Sequence, residues 1–199
     1  MALKFQYNKT FLQQLNKELK IRENALPTLI AKESALRLEV KKAKEQVAEY
    51  EKKVEEMLAS ISQTYRLWNE MPGELISIKD VNIDIKKIAG VKTPVLNDVE
   101  FDVRRYSLIS NAAWVPQGLE LIKNIAEVKI GLELGKKKVS ILEYARKKTT
   151  QKVNLYEKVQ IPEYNEAIRR IKRFLEDDEN LSKSSQKILK AKIAMAEAA

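Results

Sequence analysis

Apolar residues recur along this chain with a helical coiled-coil period. Stepping by seven from Leu12 picks out Leu12, Leu19, Leu26, Glu33, Val40, Val47, Val54, Ile61 and Trp68, eight of the nine apolar. The companion series Leu15, Arg22, Leu29, Leu36, Ala43, Tyr50, Met57 and Thr64 is apolar at six of eight. Lys and Glu fill the faces between. An a/d pattern sustained over about eight repeats predicts a coiled-coil helix. At about 1.5 Å per residue, positions 12 to 68 make an arm of roughly 85 Å. Pro27 deletes one backbone hydrogen bond from that arm and predicts a bend.

A second stripe runs through Val128, Leu132, Gly135, Val139, Leu142, Arg146, Thr149, Val153 and Tyr156. It resumes at Ile161, Tyr164, Ile168, Ile171 and Leu175, eight residues on from Val153 instead of seven. Such a stutter predicts a locally unwound supercoil. Pro162 sits at that point, where an already relaxed helix tolerates a proline best.

Between the arms the pattern changes. All five glycines (Gly73, Gly90, Gly118, Gly131, Gly135) lie between positions 73 and 135, and Met71-Pro72-Gly73 breaks the first arm. Val81, Ile83 and Ile85 alternate with polar residues, a strand signal. Ala89-Gly90 predicts a turn. Val91 to Phe101 predicts a second strand carrying Pro94 at an edge. The run SLISNAAWVPQG reads as a short helix or loop, with Pro116 and Gly118 marking the restart of helix. The expected fold is all-α dominated: a long antiparallel two-helix coiled coil with a small central β-hairpin and short-helix insert at one end. The expected boundaries are 1–70, 71–118 and 119–199. Positions 12–68 and 119–175 have equal lengths, so folding back buries both stripes in one chain. Each buried Leu or Val contributes about 1.5–3 kcal/mol. A parallel homodimer is the competing solution.

Composition narrows the chemistry. Of 199 residues, 33% are charged and 7% aromatic, a balance typical of long helices. Cysteine and histidine are both absent. Disulfides, the usual zinc ligands and the common nucleophile–base pairs are thereby excluded, and a metal would need carboxylates alone. The formal net charge of +9 points to an acidic partner. MALKFQYNKTFLQQL has no apolar core of the signal-peptide kind, and no stretch suits a membrane span, so the expected address is the cytoplasm.

Three motifs invite chemistry. GLELGKKK, Gly131 to Lys138, has three residues between its glycines where a phosphate loop has four, and no strand precedes it. Its two glycines instead fall on one helix face and predict a close helix approach. The cluster Lys136, Lys137, Lys138, Arg146, Lys147, Lys148 and Lys152 reads as a basic face for an acidic protein. It has little of the aromatic interleaving of a nucleic-acid surface, and a solvated helix face is the plainer alternative. The run Glu176-Asp177-Asp178-Glu179 reads as a solvated helix turn, without the glycine-bearing loop of a calcium site. No cofactor and no enzymatic constellation are expected.

The stretch KVNLYEKVQIPEYNEAIRRIKRFLEDDE, from Lys152, resembles the C-terminal helix of the D subunit of the V-type and A-type rotary ATPases. Lys152, Val153, Asn154, Glu157, Ile161, Pro162, Ile168, Ile171 and Glu176 match that family in kind and spacing. Leu155-Tyr156 before Glu157 is one residue more than its simplest form. IAGVKTP, with Gly90, Val91 and Pro94, resembles the family's central turn. Tyr106-Ser107-Leu108 and ALPTLIAKESALRLEV are also similar to it. Pro27 and the Lys/Ala-rich tail from Ser182 depart from the family pattern.

The resemblance implies a non-catalytic central rotor shaft, peripheral on the membrane within its complex. Its termini would enter the hexamer of catalytic A and B subunits, and its insert would face the membrane side. The F subunit would bind along it, and the coupling C subunit (d in eukaryotes) would link it to the ion-translocating ring. No nucleic acid is implied and no membrane insertion. Arg169, Arg170, Lys172 and Arg173 are the expected bearing contacts with the hexamer. A coiled-coil adaptor or tether, possibly homodimeric, is the alternative, and a basic nucleic-acid-binding rod a third.

Overall fold

A computed structural model describes residues 6–63, 65–71, 73, 75–107 and 111–197. Thr64, Pro72 and Leu108 lie outside the described residues. Helix α1 is Lys9–Gln63 and α2 is Tyr65–Trp68. Strands β1, Ile76–Ile88, and β2, Val91–Val103, follow. Helix α3 is Val115–Asn154, a π-helical turn spans Leu155–Gln160, and α4 is Ile161–Glu197. The helix-dominated fold with a small β insert is the one the periodicity predicts.

Local chemistry sets the ends of these elements. Asn8 caps α1, its Oδ1 accepting the Phe11 N–H at 2.6 Å. Pro116 stands in the first turn of α3, where its missing N–H costs nothing. Helix α1 continues through Pro27, whose solvent-exposed position leaves the freed carbonyl to water.

The chain divides into two units, one from Met1–Ala31 with Thr149–Ala199 and the other Lys32–Lys148. In the first, Leu15, Tyr164, Ala167, Ile168 and Ile171 form a buried cluster with Phe11, Leu12, Leu19 and Leu175 against it. Glu18 meets Tyr164 and Arg22 meets Gln160, so numbers rise on one arm as they fall on the other. The pairing is antiparallel and within one chain.

In the second unit Leu36, Val40, Ala43 and Leu142 form the core. Lys44 pairs with Glu143 at 2.6 Å and Lys136 with Glu51 at 3.1 Å, again antiparallel. Exposed pairs of this kind contribute under about 1 kcal/mol each, so their value here is register. The predicted close approach is present. A Cβ on Gly135 would stand 3.0 Å from Val47 Cγ2, and one on Gly131 3.4 Å from the Tyr50 ring.

The hairpin is antiparallel, closed by Ala89 and Gly90, both at positive φ (48° and 80°). Paired positive φ values are those of the tight turns that suit strand twist. Ala89, unusual at such a φ, packs its small side chain with Ile88 and Val91 against the Leu36–Leu142 core. The pairing shifts at Lys79 in β1 and at Asn97 in β2. Bulges of this kind strengthen twist. At its base, Leu75, Val115 and Leu119 are buried with half-buried Tyr106 and Trp114 against them, and Trp114 meets Trp68 edge-on at 5.2 Å.

The insert therefore does not simply cap one end of the arms, as its place in sequence suggests. The hairpin lies back along them within its unit. The lengths agree: thirteen strand residues span roughly 43 Å. The helical rise from Gln63 back to Leu36 is roughly 41 Å.

Core truncation and glycine filling have different expected signatures. Leu142→Ala, at a fully buried position, is expected to cost about 2–5 kcal/mol. Gly135→Val is expected to cost about 1–3 kcal/mol by forcing the arms apart. Denaturant titration of the full chain measures both.

Candidate functional site

No group of His, Cys, Asp and Glu among the described residues is arranged to hold a metal, and no described helix is long and apolar enough to cross a membrane. The candidate site is instead a pair of surfaces on the C-terminal arm, around the π turn and along α4. They follow from a single helix dividing its faces.

Ile168 and Ile171 point into the cluster around Leu15. On the other face Arg169, Arg170, Lys172 and Arg173 are exposed, and with Asn165, Glu166 and Glu176 they line a shallow groove. Arg170 pairs with Glu166 one turn earlier. Four cations in five positions on a helix that buries its opposite face make a basic band. Beyond Leu175, every side chain from Glu176 to Ala196 is exposed, including Leu181, Ile188, Leu189 and Met195.

Lys152, Val153 and Asn154 close α3, Glu157 lies in the π turn, and Ile161 and Pro162 open α4. Lys152 Nζ lies 5.7 Å from the Tyr156 ring centroid. Gly90 and Val91 sit at the hairpin turn, and Pro94 pairs with Ile85 in the ladder. The basic cluster is not one free face. Lys136 is tied to Glu51 and Lys138 donates to Gln46, both within the second unit. Lysines spaced along a helix reach the neighbouring arm as readily as a partner.

The expected stutter takes another form. Leu155–Gln160 is a π turn, with the Ile161 N–H donating to Tyr156 O five residues back. One wide turn absorbs one extra residue, which is what an eight-residue step in place of seven requires. The supercoil-unwinding stutter inserts four residues, so unwinding is not needed here.

Beside this turn stands a polar group that heptad counting missed. Arg22, at a core heptad position, donates Nε–H to Gln160 Oε1 at 2.8 Å and Nη1–H to Glu18 O at 3.0 Å. Its Nη1 also lies 3.3 Å from Glu18 Oε2. The Tyr164 hydroxyl donates to that same oxygen at 2.6 Å, and the guanidinium carbon stands 4.4 Å from the Tyr164 ring centroid. The available signal was Arg22 itself, since a cation in an apolar seam needs a partner across it.

Electrostatics follow from the contacts. The Tyr164 hydroxyl holds the Glu18 carboxyl below its ordinary 4.5, helped by Gln14 and Arg22 against the opposing effect of burial. Burial first, then donation to Glu18, raises Tyr164 above its ordinary 10.0.

Within each unit the helical arms pair antiparallel, and the C-terminal arm carries a basic band and, from Glu176 to Ala196, a fully exposed helix. Comparison with known proteins gives the particular family. The family model for the ATP synthase D subunit matches residues 11–191. The V-type ATP synthase D subunit of Borreliella burgdorferi is 30% identical over 192 residues, covering 96% of this chain and 95% of that protein. The protein of the same name from Chlamydia pneumoniae is 27% identical over 203 residues, covering 100% and 97%. That of Chlamydia muridarum is 28% identical over 173 residues, covering 84% and 85%. The chain belongs to the family of ATP synthase D subunits, and so to the V-type ATP synthase complex as a non-catalytic subunit.

The polar group predicts two limbs in the pH profile of stability. Glu18 titrates lower in the folded state, so its contribution is present above the unfolded carboxylate value and is lost as pH falls through the folded one. Tyr164 titrates higher in the folded state, so its contribution is present below about pH 10 and is lost as pH rises through the folded value. Tyr164→Phe is expected to flatten the alkaline limb and weaken the acid one, as read by Tm across pH.

Proposed function

We propose that this chain is the central rotor shaft of its complex, transmitting torque between the A/B catalytic hexamer and the membrane ring. The observation that carries the proposal is the division of α4. Up to Leu175 the helix is bound to its own chain, and from Glu176 to Ala196 every side chain is exposed. Those twenty-one residues extend over roughly 32 Å. An uncovered helix bearing Leu181, Ile188, Leu189 and Met195 gains free energy by entering a partner's cavity. The hexamer's central cavity is the occupied space that suits it.

The basic band of Arg169, Arg170, Lys172 and Arg173 supplies bearing contacts where the helix enters. Arginine is less strongly hydrated than lysine and pairs bidentately with carboxylates, which suits a contact made at a protein interface. The F subunit binds along the arms, and a C/d-type subunit joins the base to the ring. The chain has no membrane insertion of its own and sits peripherally on the cytoplasmic side. Membership of the D-type family and the antiparallel arms support this assignment. Antiparallel arms present different side chains at each angle, so one chain addresses three catalytic interfaces unequally.

Truncation after Asp177 tests it. The isolated chain is expected to keep its Tm within a few degrees, since every described side chain from Asp178 to Ala196 is exposed. The complex with A, B, F and ring subunits is expected to lose coupled ATP-driven ion transport by about tenfold or more. A truncated complex with full coupling would refute the shaft role for this segment. Reversing Arg169, Arg170, Lys172 and Arg173 to Glu is expected to weaken co-purification of the A/B hexamer.

A further inference from the structure

We infer that the π turn Leu155–Gln160 is a pinned slip joint, held in place by the Arg22–Gln160 and Glu18–Tyr164 contacts and by Pro162. The joint is a property of the chain itself, and its use under torque rests on the rotor assignment.

The turn is needed for packing. Drawing the turn into regular α-helix with all its residues kept rotates everything beyond it by about 100° relative to everything before. Tyr164, Ala167, Ile168 and Ile171 would then leave the face on which they meet Leu15. A wide turn is nevertheless a poor place to store stability. Among Leu155–Gln160 no residue is buried, and Leu155 and Val159 are exposed apolar side chains. Nothing in the turn's own packing fixes it there.

Two features do. Pro162 has no N–H, and in a regular α-helix its ring would press on the carbonyl of Lys158. The wide turn immediately before it moves that carbonyl aside, so Pro162 favours the turn where it stands. On the other side stands the opposite arm. Arg22 grips Gln160, the last residue of the turn, while Glu18 grips Tyr164 one turn on. The guanidinium over the Tyr164 ring ties the two contacts into one bracket spanning Pro162. Burial and donation to Glu18 shift Tyr164 further toward its hydroxyl form.

Releasing the bracket loosens the wide turn, while Pro162 still opposes its travel, because moving it back through Thr149–Asn154 returns residues 155–162 to regular helix and presses the proline ring on the Lys158 carbonyl. Each residue it passes changes azimuth by about 100° and moves about 1.5 Å along the axis. Wide turns of this kind recur at functional positions in helices. The step is discrete, so the joint yields by residues and not by continuous bending.

Residue-resolved hydrogen exchange on the full chain tests the joint without the complex. In Arg22→Gln/Tyr164→Phe, amides of residues 150–160 are expected to exchange about tenfold faster or more, while those around Leu36 and Leu142 stay unchanged. Unchanged rates, or a uniform rise across both regions, overturn the proposal. Deleting Val159 together with Pro162→Ala restores continuous α-helix with both flanks in register. That variant is expected to slow exchange of residues 155–161 by about tenfold, and exchange as fast as in the parent chain overturns the proposal. Tyr164→Phe alone, which removes one hydroxyl, keeps the test open should a variant fail to fold, and local acceleration is again the required result. In the assembled complex the deletion variant is expected to stiffen single-molecule rotary compliance. Slowed exchange with unchanged compliance would sink the torsional use and leave the joint standing.

Discussion

Everything in this structure follows from two apolar stripes that water penalises and that one chain must cover by itself. Leu15 closes on Ile168 and Ile171, and Leu36 and Val40 close on Leu142, each within its own unit. The charged surroundings add little energy but make other registers worse. Lys44 pairs with Glu143 and Lys136 with Glu51 in the antiparallel alignment observed. Close approach at Gly131 and Gly135 brings the second unit's arms together, and β2 contributes Pro94, Val95 and Leu96 to the groove beside them.

A helix pair of this kind tolerates no integer error in its repeat. The second arm carries one residue too many between Val153 and Ile161, and a single π turn removes the mismatch. That solution places a wide, exposed turn, a proline and a buried tyrosine within ten residues. It also explains why a polar bracket stands where a hydrophobic heptad position is expected. Apolar packing alone does not distinguish a turn displaced by a residue, whereas the Arg22–Gln160 hydrogen bond does.

Family membership and geometry divide the functional work. Membership places the chain in a V-type ATP synthase as a non-catalytic subunit. The geometry shows a basic band and, from Glu176 to Ala196, a helix with every side chain exposed. Both lie on α4, beyond or opposite the residues that hold the arm to its own chain.

Much of this was legible in the sequence because a heptad stripe is periodic and local. The positions from Leu12 to Ile61 in the two counted series are all buried or half-buried, Glu33 included. The alternation of Val81, Ile83 and Ile85 and the Ala89-Gly90 turn likewise gave the hairpin. The extra residue before Ile161 was countable, but its π form was not, because period counting records a mismatch and says nothing of the hydrogen bonds that absorb it. The fold-back of the hairpin, the bracket of Glu18, Arg22, Gln160 and Tyr164, and the internal use of Lys136 and Lys138 were decided only in three dimensions. Each depends on which residues, far apart in sequence, come within a few ångströms. Sequence alone determined the elements and the faces they bury; tertiary packing determined which polar side chains complete one another across them, since a hydrogen bond is short-ranged and directional where burial is neither.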